Sequence, residues 1–167
     1  MPARGSGRTA MPLLALGLLG WGALASASPP LQLRIGEPRL HLFYKASGRL
    51  SEDILHRAEE FSAWNTVIGE GSAEEPADDA LVILPILNGP DGSGGEAFAE
   101  AALTLRVVDA RGKVLGIRKT GAVYIGNGGR DHLALWLKDV TCAGPIRIEA
   151  SLGAQKQQAA IAFNCGE

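Results

Sequence analysis

The sequence predicts an all-β fold, an antiparallel β-sandwich of immunoglobulin-like or similar topology with about seven or eight strands. Three observations carry that expectation. The second half of the chain is a succession of short apolar segments, "AALTLRVVD", "KVLGIRK", "GAVYIG", "HLALWLKDV", "IRIEASLG" and "QAAIAFNC". They recur at roughly 8 to 13 residues, the spacing of a sandwich or barrel. Between them stand turn-forming connectors: Ala110-Arg111-Gly112, Asn127-Gly128-Gly129, Ala143-Gly144-Pro145 and Gly153-Ala154. Finally, the segments alternate. Leu103, Leu105 and Val107 oppose Thr104, Arg106 and Val108, while Ile146 and Ile148 oppose Arg147 and Glu149. Strands that are polar on one side bury the other, as antiparallel sheets do and fully covered parallel sheets do not.

From the N-terminus, Arg4 and Arg8 precede an apolar run from Met11 to Leu24, followed by the small-x-small pattern Ala25-Ser26-Ala27. That order is the signature of a secretory signal, residues 1–27, cut after Ala27. The apolar run falls short of the roughly 20 residues a membrane-spanning helix needs, so no span is expected after cleavage. Residues 28–167 then form a single secreted or periplasmic β-sandwich domain, of a size suited to one core. Alanine and glycine richness suggests a bacterial source. Loss of Arg4 and Arg8 takes the net charge from −2 to −4, which argues against nucleic acid as a partner.

"RLHLFYK", residues 39–45, alternates as a strand does. Beyond Ser51, the apolar positions Ile54, Leu55, Ala58 and Phe61 recur at helical spacing, and Glu52 and Asp53 suit a first turn. One short helix is therefore expected near residues 52–61, the alternative being that "RLSEDIL" continues a β arrangement. "ALVILPIL", residues 80–87, is apolar without interruption and reads as a strand buried on both faces or nearly so, although Pro85 points to an edge or a bulge. Four glycines and a proline make residues 88–95 a flexible loop.

The two cysteines, Cys142 and Cys165, are expected to form a disulfide, because an even count in an oxidising compartment favours pairing. As metal ligands they lack companions at suitable spacing.

Charge is distributed unevenly. From Ala58 to Leu105 there are ten acids and no lysine or arginine, whereas residues 106–156 hold nine basic residues against four acids. Within the acidic segment, "WNTVIGEGSAEEPADD" concentrates Glu70, Glu74, Glu75, Asp78 and Asp79. Calcium requires six to eight oxygens, usually from an alternating D-x-D-x-D-G order. That order is absent, so the stretch reads first as a solvated loop and second as a dock for a basic protein. No metal or cofactor is expected. Gly69 and Gly71 flank Glu70 without the lysine or third glycine that a phosphate loop needs. Trp64, Val67 and Ile68 read as core, and "GNGGRD", residues 126–131, as a hairpin connection rather than an anion site at Arg130.

Catalytic patterns are missing. His41, His56 and His132 belong to different elements, and there is no HExxH, G-x-S-x-G or S-x-x-K sequence. Tyr44, Lys45 and Ser47 are neighbours with nothing to orient them. Trp136 faces away from Leu133, Leu135 and Leu137; it is core if both sheet faces are covered, which is favoured, and otherwise an interface anchor. The function expected from these features is non-catalytic protein binding outside the cytoplasm, with an unknown, basic protein as partner. Glu70, Glu74, Glu75, Asp78, Asp79 and Trp136 are the candidate surface, together with an exposed edge strand. The alternatives are a small-ligand or metal-binding periplasmic protein, and an enzyme with an unrecognised site.

Overall fold

The computed structural model describes residues 31–57, 62–64 and 73–165, the last two and 62–64 in their backbone only. The expected export signal, Glu70, Val67 and Ile68 and the side chain of Trp64 lie outside the described residues. Eleven strands are described, more than the seven or eight expected, because four are three-residue pieces. They are β1 (Leu33–Ile35), β2 (Arg39–Phe43), β3 (Ser62–Trp64), β4 (Asp79–Asn88), β5 (Ala97–Ala99), β6 (Leu103–Asp109), β7 (Val114–Thr120), β8 (Val123–Ile125), β9 (Arg130–Leu137), β10 (Gly144–Leu152) and β11 (Gln155–Cys165).

Two sheets pack face to face as a β-sandwich. In the first, β4 is central, with β9 along one side and β1 and β2 end to end along the other. The second runs β3-β11-β10-β6-β7, antiparallel apart from the β3–β11 pair. A two-stranded ribbon, β5-β8, completes the fold. One core cluster draws on both sheets, with Leu40, Val82, Leu84 and Leu135 from the first and Leu105, Ile148 and Phe163 from the second.

The alternation read in β6 and β10 is observed, with Leu103, Leu105, Ile146 and Ile148 inward. Turn chemistry fixes the register. At Gly153, φ is +56°, so the two-residue hairpin between β10 and β11 has glycine where a type II′ turn requires it. Between β6 and β7, Asp109 Oδ1 accepts from the amides of Arg111 (2.8 Å) and Lys113 (2.9 Å). Burial alone would raise the Asp109 carboxyl; those two hydrogen bonds, together with the charges of Arg111 and Lys113, outweigh it and hold it below the ordinary value.

β4 departs from expectation. It alternates along its whole length, with Ala80, Val82, Leu84 and Ile86 buried and Leu81, Ile83, Pro85 and Leu87 only half-buried on the outer face. Pro85 is not at an edge but opposite the break between β1 and β2. Its carbonyl accepts from Gly36 N (2.9 Å) in that break, and a strand residue's N–H points the same way as its C=O. The donor that Pro85 lacks would have faced Gly36 in return, so the one bond missing from that pair falls just where β1 ends.

The helix expected near residues 52–61 is absent from its described part, residues 52–57, and its remainder lies outside the described residues. Apart from an isolated bridge between Leu50 and Phe43 this segment is not a strand either, although it bonds along β2. Ser51 N donates to Leu42 O and Ile54 N to Leu40 O, while Leu42 N donates to Ser51 Oγ and Leu40 N to Asp53 Oδ1. Asp53 Oδ1 also accepts from Leu55 N (3.1 Å), a local side-chain bond that competes with helix formation.

The glycine-rich loop after β4 is held rather than loose. Asn88, buried, accepts from Gln32 N and donates through Nδ2 to the carbonyls of Gly94 (2.9 Å) and Gly95 (3.3 Å). The loop lies against the turn before β9 so closely that a Cβ on Gly129 would stand 1.6 Å from Gly92 O. Arg130 closes the contact by donating from Nε and Nη2 to Asp91 O, at 3.2 and 2.7 Å.

Candidate functional site

The fold gathers four of the acids singled out by sequence, Glu74, Glu75, Asp78 and Asp79, at one end of the first sheet beside Trp136. Asp79 opens β4 and accepts from Trp136 Nε1 (3.2 Å) through Oδ2 and from Asp139 N (3.1 Å) through Oδ1. Tyr44, buried at the end of β2, accepts from Glu74 N (3.3 Å) through its hydroxyl, which pins the loop in front of β4.

Two cations from the turn after β2 reach these acids, and sequence reasoning did not find them. Lys45 forms an ion pair with Asp78, while Arg49 Nη2 reaches Glu75 Oε1 at 2.9 Å and Glu74 Oε2 at 3.4 Å. Ser47 N adds a bond to Glu75 Oε2 (3.2 Å). The Arg49 guanidinium holds the Glu75 carboxyl below its usual value, and the bond to Asp78 raises the Lys45 ammonium. Being exposed, these pairs organise the loop more than they stabilise the fold. They also neutralise part of the acidic character that the sequence suggests.

Trp136 is not core, contrary to the favoured expectation. It is 41% exposed on the outer face of β9, its ring edge-on to Phe43 with centroids 5.0 Å apart. The reason is that nothing in the described residues covers the outer face of the first sheet. Strand register sets out that face in rows: His41, Leu81 and Trp136; Arg39, Ile83 and Ala134; then Pro85 with His132. A half-buried apolar column on β4 is thus flanked by aromatic and imidazole side chains, with carboxylates at one end.

Elsewhere, Phe98 and Tyr124 are cross-strand partners on the β5-β8 ribbon and are both exposed, with Tyr124 Oη donating to Glu96 Oε1 (2.6 Å). Cys142 is not a free thiol. The β10–β11 ladder ends with Gly144 facing Phe163, so positions 142 and 165 lie two residues beyond the same end of it.

The histidines stay apart. His41 Nδ1 lies 2.8 Å from Ser51 O, His132 is on β9, and His56 stands between Asp53 (Nδ1 to Oδ2, 2.5 Å) and Glu37 (Nε2 to Oε2, 3.3 Å). Among the described residues no group of three or more His, Cys, Asp or Glu is placed to hold a metal ion. The bond to Asp53 raises the His56 pKa. Burial would raise Asp53, but hydrogen bonds from Leu40 N, His56 and Leu55 N overcome it and lower the carboxyl.

The signs give a window for this pair. A lowered Asp contributes stability above its unfolded value of about 3.9, lost as pH falls through the folded pKa; a raised His contributes below about 6.5, lost as pH rises through its folded pKa. The gap in melting temperature between the wild type and His56→Gln is therefore expected to be widest between about pH 4 and 6.5 and to narrow as pH rises beyond that window. A gap independent of pH in paired thermal melts would contradict it.

No protein-family model matches the chain, and no curated protein is significantly similar to it, so function must be argued from these surfaces.

Proposed function

We propose that this protein is an exported, non-catalytic module that binds another protein outside the cytoplasm, on the outer face of the first sheet and its acidic end. The observation that carries the proposal is Trp136, half-exposed yet held by Asp79 and Phe43 on an apolar column. A large aromatic whose orientation is already set loses little freedom on binding, which is why such residues anchor interfaces. Monomeric surfaces rarely leave contiguous apolar area uncovered without a use for it. The carboxylates at the end of the column favour a basic rim on the partner, although Lys45 and Arg49 offset part of their charge. Export is supported by the N-terminal pattern and by a Cys142–Cys165 bridge, which the place of both positions beyond the same end of the β10–β11 ladder favours.

Charge reversal of the acids would set new lysines against Lys45 and Arg49 and disturb the loop itself, so the cleaner test is on the apolar column. Tagged residues 28–167, as wild type, Trp136→Ala and Ile83→Lys, are used to capture proteins from the cell envelope fraction, with thermal melts to verify folding. A stoichiometric partner of the wild type is expected to be lost or weakened at least about tenfold by each substitution, the scale of one interface anchor. A partner retained at full strength by both folded variants would refute docking on this face.

A further inference from the structure

The outer face of the second sheet, opposite the proposed docking face, carries a shallow groove of about 390 Å³. Strand register builds it in two rows. Lys119 of β7, Thr104 of β6, Ser151 of β10 and Lys156 of β11 are successive cross-strand partners, and Ile117, Arg106, Glu149 and Gln158 form the next row. Adjacent strands are about 4.8 Å apart, so the two lysines stand about 14 Å apart at their Cα atoms, with two hydroxyls between them. Among the described residues the side chains of Lys119, Thr104, Ser151 and Lys156 have no hydrogen-bond or ion-pair partner.

Among the described residues, the one carboxylate on this face is already engaged. Glu149 Oε2 accepts from Arg106 Nε (3.0 Å) and Nη2 (2.7 Å), and Oε1 accepts from Arg147 Nε (2.7 Å). Among the described residues, four cations thus share the face with one acid, in a chain whose overall charge is negative.

We propose that this groove binds an anionic polysaccharide, with its sulfate or phosphate groups on Lys119 and Lys156 and its sugar hydroxyls on Thr104, Ser151 and Gln158. Lysines standing out from the sheet at this separation suit charges that recur along a chain, whereas sharing one small anion would require both side chains to lie flat across the strands between them. Ile117, 46% exposed, gives an apolar rest for a sugar ring. The described groove has no aromatic side chain on which bases could stack, which separates this chemistry from single-stranded nucleic acid. Since the whole protein repels a polyanion, the attraction is local and sensitive to salt. The proposal does not depend on docking at the other sheet.

The test is calorimetric titration of residues 28–167 with dextran sulfate, phosphorylated dextran and uncharged dextran. Binding to one or both charged dextrans is expected, and whichever is preferred identifies the anionic group. Affinity is expected to fall by roughly tenfold or more between about 10 and 150 mM ionic strength. Lys119→Glu/Lys156→Glu is expected to lose roughly tenfold or more, whereas Lys138→Glu, an exposed lysine outside the groove, changes little. Thr104→Ala/Ser151→Ala, which leaves the charge alone, is expected to lose several-fold, about 1 kcal/mol in hydrogen bonds. The proposal is overturned by full affinity in the folded double-lysine variant or by an equal loss in Lys138→Glu. Failure of both charged dextrans to bind at low salt, or tighter binding of single-stranded DNA than of either charged dextran, would overturn it too.

Discussion

Phe163→Ala is expected to destabilise the protein by about 3–5 kcal/mol, the largest effect of any single substitution considered. Phe163 is fully buried on β11 and is the largest such side chain among the described residues. It sits near the end of the β10–β11 ladder, opposite Gly144, and belongs to the core cluster shared by both sheets. Strands held on both sides by backbone hydrogen bonds cannot close in on the space an alanine would leave, so the lost transfer energy is compounded by a cavity. Phe163→Leu, which keeps most of the volume, is expected to cost less than half as much, about 1.5 kcal/mol. Urea unfolding at fixed pH measures both. A cost below about 1 kcal/mol for the alanine variant would mean that β11 does not close the core as described.

The second large effect is expected from the cysteines. Bridging positions 142 and 165 closes a loop of about 24 residues, which stabilises by roughly 3 kcal/mol in the chain-entropy account, strain reducing it. Cys142→Ser, Cys165→Ser and the double variant should therefore lose the same amount rather than adding, since each removes one bond. A reductant should bring the wild type to the same unfolding midpoint. The register supports this pairing, because the two backbones are already neighbours at the end of a long hairpin. A midpoint indifferent to reductant would mean that the cysteines are not bridged.

The second half of the chain was legible because its information is local. Leu103 to Asp109 and Ile146 to Leu152 alternate residue by residue, and Gly153 and Gly112 mark turns that need positive φ. Residues 52–57 were misleading, because Asp53 accepts from Leu40 N, a partner that no helical periodicity reveals. β4 misled for a different reason. An apolar run says that a strand is wanted on both sides, and the fold supplies one covering sheet, leaving Trp136 half-exposed.

Sites were harder to read than strands because both surfaces are made by register. Nothing near Glu75 in sequence announces Arg49, which reaches it across the turn after β2. Likewise Lys119 and Lys156 belong to one row only once β6 and β10 are laid between them. Each strand shows which of its residues face outward, whereas which outward residues become neighbours depends on three pairings at once.

The contact between Gly129 and Gly92 bears on how this chain can vary. Surface loops ordinarily drift, lengthen and accept insertions independently of one another. Here the segments before β5 and before β9 occupy each other's side-chain space, and hydrogen bonds from Asn88 N to Gly129 O and from Arg130 to Asp91 O tie them. A change in one therefore demands a matching change in the other, so the pair behaves as a single unit of substitution. Anyone grafting a peptide or a label onto this scaffold would find the Gly153 hairpin the more forgiving address, since open space surrounds it.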